Sequence, residues 1–255
     1  MAVFDGIDSF YGLVIGASQG IGLEFVRQLL NKPVTQFVFA TYRHTPSAEL
    51  ADLAAQFPDR LLLLSVDVTD EAQIAAAIAE IKCQTQRLHF VIYCVGVLHA
   101  GDLQPEKSLQ QLQSENLLRY FQVNSIGVVL FAKHLVPLLK HGDRSVLASI
   151  SAKVGSIGDN EIGGWYGYRA SKAALNMFMR TTAIEYRRKS PNTLIVLLHP
   201  GTTDTRLSKP FQRGVPPEKL FPVERTVTQL LSVIDNLQAE DSGQFFSWNG
   251  DRLPW

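Results

Sequence analysis

A tyrosine and a lysine four residues apart, Tyr168 and Lys172 in the run Tyr166-Gly167-Tyr168-Arg169-Ala170-Ser171-Lys172-Ala173-Ala174-Leu175-Asn176, make a pair able to move a proton. On a helix, residues at this spacing project from one face. A free phenol titrates near pH 10 and is a poor proton donor or acceptor at neutrality. An ammonium about 4 Å away, at an effective dielectric near 20, interacts with a phenolate by roughly 4 kcal/mol, enough to lower the phenol by up to about three pH units. The pair therefore predicts a tyrosine titrating close to pH 7, where general acid–base catalysis works best. In isolation the same spacing describes an ordinary pair of surface side chains, so the surroundings must decide.

A second chemical feature lies near the start of the chain. Leu13-Val14-Ile15-Gly16-Ala17-Ser18-Gln19-Gly20-Ile21-Gly22 sets a glycine cluster between an apolar run and an amphipathic stretch. Glycines there allow a tight strand-to-helix turn, so that free N–H groups and the positive helix end face a pyrophosphate. The spacing is G-x-x-x-G-x-G, which differs from the G-x-G-x-x-G dinucleotide fingerprint. At the end of the second apolar run, Phe39-Ala40-Thr41-Tyr42-Arg43-His44, no carboxylate stands ready for a ribose 2′-hydroxyl. Arg43 stands there instead, which suits a 2′-phosphate and favours NADP(H) over NAD(H).

The elements that would carry these groups alternate. Strand-like runs are expected at 11–15, 36–41, 61–66, 88–95, 144–149, 193–199 and 243–246, and helical periodicity at 21–30, 71–81, 117–139, 170–188 and 223–237. Runs such as LLLLSV are apolar on successive residues, the mark of strands buried on both faces. The fold class expected is α/β, a Rossmann-type doubly wound parallel sheet of about seven strands in one domain. Residues 200–222, rich in Gly, Pro and mixed charge, read as a mobile substrate loop and candidate lid.

The 255 residues are 46% hydrophobic and carry 24 basic and 24 acidic side chains, which leaves no basic stripe for nucleic acid. Two cysteines, Cys83 and Cys94, read as reduced thiols. With no h-region at the N-terminus and no run of 18 to 20 apolar residues, the expectation is a cytoplasmic protein with no membrane partner. No Cys/His spacing suggests a metal, and His199 at a strand end reads as structural.

Taken together, the glycine turn and the Tyr168/Lys172 pair resemble the short-chain dehydrogenase/reductase family along nearly the whole chain. The resemblance implies that Tyr168 and Lys172 are catalytic, that Asn124 in Val123-Asn124-Ser125 serves a proton relay, and that Gly16, Ser18, Gln19, Gly20, Ile21, Gly22 and Arg43 bind the dinucleotide. It further implies adenine contacts from Asp67 and Val68. Gly96 closes a motif whose two asparagines are absent here. Pro200, Gly201, Thr203 and Thr205 would lie against the nicotinamide. The texture of 154–166 and of the closing Arg252-Leu253-Pro254-Trp255 is similar to the branch of C-factor-like and sniffer-type carbonyl reductases. The activity implied is NADP(H)-dependent reduction of a small carbonyl compound (aldehyde, ketone or quinone) by a homodimer or homotetramer.

One position departs from that pattern. The family's serine falls, without a gap, on Ala152 in Ile150-Ser151-Ala152-Lys153-Val154-Gly155. Ser151 is one residue early and on a regular strand would face the other way. A bend at the strand end would bring it back, so Ser151 is taken as the substrate-polarising hydroxyl, with Ser149 and Ser156 as alternatives. Two rivals remain open: a dinucleotide-binding signalling protein with little turnover, and an extended-type epimerase or dehydratase.

Overall fold

The computed structural model describes residues 7–255; the first six residues of the N-terminal stretch read above lie outside the described residues. In chain order the elements are β1 (Phe10–Ile15), α1 (Gly20–Leu30), β2 (Thr35–Tyr42), α2 (Ala48–Gln56), β3 (Leu61–Ser65), α3 (Glu71–Gln84), β4 (Phe90–Tyr93), α4 (Ser114–Phe121), α5 (Gly127–Leu139), β5 (Ser145–Ile150), α6 (Tyr166–Lys189), β6 (Thr193–His199), β7 (Thr202–Thr203), β8 (Leu220–Phe221), α7 (Val223–Asp235) and β9 (Gln244–Ser247). Seven strands form one sheet in the order β3-β2-β1-β4-β5-β6-β9, and every pairing is parallel. The strand order reverses between β1 and β4, the place where an open α/β sheet leaves a crevice at its carboxyl edge.

Successive strand residues feed two cores. Leu13, Ile15 and Leu147 enter one with Ile78 of α3, Phe131 of α5 and Met179 of α6. Val14, Val146 and Ala148 enter the other with Phe25 of α1 and Leu230 of α7. Burial on both sides is why these strands are apolar throughout. A third, smaller cluster sits apart and contains Tyr168.

Three element expectations are corrected. The helix α2 has no counterpart among the expected helices because only Leu50 of its nine residues is buried, leaving almost no apolar stripe to read; Ser47 caps it by accepting the N–H of Leu50. The single long helix expected at 117–139 starts at Ser114 and is interrupted by a π turn over Gln122–Ile126. The rod Ser114–Leu139 is long and apolar enough to cross a membrane by length and composition, but half of its most apolar stretch is buried in the fold, where α4 and α5 pack against α6. The segment 200–222 holds the short parallel pair β7 and β8 and two 3-10 turns.

Candidate active site

The glycine turn is built as a close approach of chain to chain. Gly16 has φ +86 and Gly20 φ +55, and a Cβ on Gly22 would stand 2.1 Å from the Gly16 carbonyl oxygen, so only glycine lets α1 start against the turn. The Gly16 and Ala17 N–H groups donate to the Thr41 hydroxyl and carbonyl, pinning the turn to β2. Gln19 at the head of α1 makes no side-chain cap, and no acidic residue occupies the first turn. The helix end is thus left for an anion, with Ser18, Gln19 and Ile21 around it. Thr205 lies over this turn: a Cβ on Gly20 would meet its Cγ2 at 3.2 Å.

At the neighbouring strand ends, Arg43 and His44 are exposed and stand near Asp67. Burial pushes the Asp67 carboxyl up, but hydrogen bonds from the Thr69 N–H and hydroxyl and the charge of Arg43 outweigh it and hold the group below its ordinary value. Val68 is buried in the core. These residues fit a dinucleotide whose phosphates meet the turn and whose ribose meets Arg43.

Across the crevice, α6 presents Tyr168 and Lys172. Both are buried, at 6% and 3% exposure. The Lys172 ammonium donates to the Ile150 carbonyl at 2.9 Å and lies 5.9 Å from the centroid of the Tyr168 ring. Burial lowers Lys172 to about 8, offset in part by Cys94. The expected depression of Tyr168 is corrected: burial raises its hydroxyl above the ordinary value, because the ammonium is committed to a backbone oxygen and lies over the ring. The phenol therefore stays protonated through neutrality, the form needed to donate a proton.

Asn124, in the π turn, is fully buried. Its Oδ1 accepts the Val97 N–H at 2.7 Å, and its Nδ2 donates to the Val97 carbonyl and the Ser171 hydroxyl. Ser171 in turn donates to the Tyr168 carbonyl. Asn124 thus ties the loop after β4 to α6. Gly96 is part of the same junction; a Cβ there would lie 3.6 Å from Asn124 Oδ1 and 3.7 Å from Lys172 Nζ.

The Ser151 expectation is also corrected. No bend precedes it: its N–H donates to the Leu198 carbonyl, continuing the β5–β6 ladder. Its hydroxyl donates to Asn176 Oδ1 at 2.7 Å. Asn176 is eight residues beyond Tyr168 on α6, roughly 12 Å along the axis. Ala152 instead packs in the Tyr168 cluster. Of the alternatives, Ser149 is buried with no partner for its hydroxyl, and Ser156 accepts the Asp159 N–H within its own turn. Thr203 is likewise spent elsewhere, bonding Thr226 of α7 at 3.0 Å, and Gly201 (φ +72) serves close packing of Phe221 after Pro200.

The Tyr168 cluster joins Leu98, Leu103 and Tyr120 to Val97, Ala152, Val154, Trp165, Leu207 and Phe211. Trp165 meets the Tyr168 ring edge-on at 6.2 Å and Phe211 at 4.9 Å. It is the one non-glycine residue with positive φ among the described residues (φ 52), following Gly163 and Gly164 in the same conformation. Such strain persists where surrounding contacts over-determine it. Glu106 helps do so: its carbonyl accepts the Trp165 N–H, and its carboxylate accepts the Gly167 N–H at 3.1 Å. The helix α6 has no side-chain cap of its own, so this buried carboxylate serves from another loop.

The model of the short chain dehydrogenase family matches residues 12–215. The chain belongs to this family. It is 30% identical over 244 residues to 1-hydroxy-2-glutathionyl-2-methyl-3-butene dehydrogenase of Rhodococcus sp. (strain AD45), covering 95% of this chain and 98% of that protein. It is 34% identical over 148 residues to the C-signal of Myxococcus xanthus, covering 58% and 84%. Among solved structures, the NADPH-bound carbonyl reductase from chicken fatty liver superposes with a TM-score of 0.85 at 29% identity, covering 99% of this chain and 98% of that one. The carbonyl reductase Sniffer of D. melanogaster gives 0.84 at 26%, covering 96% and 99%.

Ala152 stands where the family resemblance places a hydroxyl, and it packs in the Tyr168 cluster. Three groups that sequence reading missed hold the ends of α6 and β5 in place: Ser171 and Glu106 near Tyr168, and Asn176 on Ser151. Ser171 and Asn176 stood in the Tyr-Lys segment itself, and the structure shows both buried. Glu106 left no signal, since it is 62 residues away in sequence from Tyr168. His199 accepts the Lys153 N–H, and burial lowers it to about 4, a structural role as expected. At the sheet's other edge His89, His141 and Asp143 converge within 4.8 Å. His89 Nδ1 already accepts the Tyr11 N–H, so in the neutral ring Nε2 carries the proton, faces Asp143 and is no ligand.

Proposed function

We propose that this short-chain dehydrogenase is an NADP(H)-dependent reductase that converts the carbonyl of a small molecule to an alcohol, with Tyr168 as the proton donor. The observation that carries the reading is the placing of a buried Tyr168, beside Lys172, and an uncapped glycine turn at the same carboxyl edge of one parallel sheet. When bound, the reduced nicotinamide supplies a hydride to the carbonyl carbon. Tyr168 donates a proton to the developing alkoxide. Lys172, cationic below about pH 8, offers its remaining N–H donors to a ribose. Asn124 and Ser171 hold the loop and the helix in register, and Arg43 favours the 2′-phosphate. The leaning toward NADP(H) is supported by Arg43 and by the NADPH in the chicken carbonyl reductase. Leu118 of α4 with Met177 and Ile184 of α6, large apolar side chains left exposed on two helices that pack together, support a homodimer or homotetramer.

The test follows NADPH oxidation against aldehydes, ketones and quinones, with Tyr168→Phe alongside. Loss of about 100-fold or more in turnover with NADPH binding intact is expected. A second reading, a dinucleotide-binding signalling protein with little turnover, is favoured by Ala152 and by the name of the C-signal relative. NADPH binding with no carbonyl consumed selects it.

A further inference from the structure

We infer that Arg169 is a positioning residue for the proton donor: its guanidinium staples the mouth of the loop 154–164, holding Trp165 against the Tyr168 ring and Gly155 against Lys172, while Trp255 pins the loop's tip. The inference rests on the reductase reading above. Arg169 gives three separate donors to three main-chain oxygens, Nε to Gly164 at 3.0 Å, Nη1 to Val154 at 3.2 Å and Nη2 to Gly163 at 3.2 Å. Val154 opens the loop and Gly163 and Gly164 close it, so one side chain draws both ends together in the manner of an Ω-loop. A planar, rigid fork can serve three oxygens in fixed directions, which the point charge of a lysine cannot. Arg169 follows Tyr168 directly, and its own N–H donates to the Trp165 carbonyl at 2.8 Å, so the staple and the proton donor share one turn of α6.

The loop does little to fix itself. Residues 157–163 are exposed, Ile157 at 78% and Ile162 at 92%, so no apolar side chain among them anchors it in a core. Ser156 Oγ accepts the Asp159 N–H and Asn160 Oδ1 the Gly163 N–H, bonds that stay within the loop. The Lys153–Asp159 ion pair at 3.3 Å is largely solvated and contributes little. From outside, the tip is tied by the Gly158 N–H donating to the Trp255 main-chain oxygen at 2.9 Å. Trp255 can hold it because its ring stacks on buried Phe245, with centroids 6.0 Å apart, and the Leu253 N–H before it donates to the Phe245 carbonyl. Both ends of the loop reach the chemistry. Gly163, Gly164 and Trp165 run in left-handed backbone, with φ 70, 67 and 52, a conformation that a tryptophan leaves unless held. Held there, its ring meets Tyr168 edge-on at 6.2 Å. At the other end, a Cβ on Gly155 would stand 2.7 Å from the Lys172 Cβ, so outward drift of Val154 uncovers the lysine.

The test compares wild type with Arg169→Lys, Arg169→Ala and Trp255→Ala. NADPH-binding sites are counted by titration of NADPH fluorescence, and turnover of 4-nitrobenzaldehyde, or of menadione where the aldehyde is not consumed, is expressed per binding site. Amide hydrogen exchange over 154–165 is read by mass spectrometry on the same samples without substrate. Because a misplacement of about 1 Å at reacting groups costs on the order of 100-fold, kcat per site should fall about 10-fold in Arg169→Lys and about 100-fold in Arg169→Ala. Exchange over 154–165 should quicken by about 10-fold in both, with Kd for NADPH within about twofold of wild type. Trp255→Ala should quicken exchange around Gly158 and lower kcat per site by about threefold. A residue needed only for folding would reduce the number of binding sites and leave kcat per site at the wild-type value. That outcome in the Arg169 variants overturns the inference and leaves the reductase reading standing. So does an Arg169→Lys protein equal to wild type, which would mean that charge rather than the three-pronged fork matters, and so does a Trp255→Ala protein unchanged in both exchange and turnover. Should Arg169→Ala fail to fold, the lysine variant decides by the same two readouts. If wild type binds NADPH and consumes neither carbonyl, the reductase reading fails and the inference falls with it.

Discussion

Replacing Lys172 with methionine should make the protein more stable and inactive at once. The ammonium is 3% exposed, and its fall from an ordinary 10.5 to about 8 comes first from burial. At 1.36 kcal/mol per pH unit, that difference corresponds to roughly 3 kcal/mol charged against the folded state. Because the folded protein binds this proton less tightly than the unfolded chain, the penalty is fully present below about pH 8 and disappears as pH rises to about 10.5. In the Lys172→Met variant the thioether chain fills a similar volume, while the lost hydrogen bond to the Ile150 carbonyl costs about 1 kcal/mol. The net gain of about 2 kcal/mol predicts a rise in Tm of roughly 4–8 °C at pH 7 for a chain of this size. Thermal unfolding followed by circular dichroism at pH 7 and pH 10, without nucleotide, measures it. A variant less stable than wild type at pH 7, or an increment equal at both pH values, would refute the claim that burial of this charge dominates.

Arg43→Ala should weaken NADPH binding by about 10- to 100-fold, the worth of one charge-assisted contact, and NADH by less than about threefold, as read by fluorescence titration; equal losses remove the 2′-phosphate argument. Ser151→Ala should destabilise the fold by about 1–3 kcal/mol in urea, because Asn176 loses the hydroxyl on Oδ1 while its Nδ2 already lacks a partner, and should leave kcat within about twofold. A large fall in kcat would return Ser151 to the reacting centre. Glu106→Ala should lower kcat through the loosened start of α6, with Glu106→Gln restoring most of it by keeping an acceptor for the Gly167 N–H. If Gln fails to rescue at any pH, the charge rather than the cap is what matters.

Much of this protein was legible from local pattern. The glycine turn, Arg43 after β2, and the Tyr168/Lys172 spacing depend on residues close in sequence, where turn geometry and helical period constrain them directly. Uniformly apolar strands announced a sheet covered on both faces, and the seven-stranded parallel sheet follows that reading. The misread elements have weak local signals: α2 buries one side chain, and a π turn keeps the apolar stripe of a helix while shifting its register.

Direction and distance came from the folded chain. Whether Ser151 or Ala152 faces Tyr168 turns on one residue of strand register, fixed by the bond from the Ser151 N–H to Leu198 on a neighbouring strand. That the Tyr168 hydroxyl is raised rather than lowered depends on burial and on the Ile150 carbonyl that holds Lys172, neither of which is encoded in a four-residue spacing. Glu106 reaches α6 from 61 residues away to bond Gly167. Residue order and spacing were enough to place the glycine turn and the Tyr168/Lys172 pair on their elements, because turns and helices are local. Which side chains surround Tyr168 was set by the packing of loops from distant parts of the chain, which no local pattern carries.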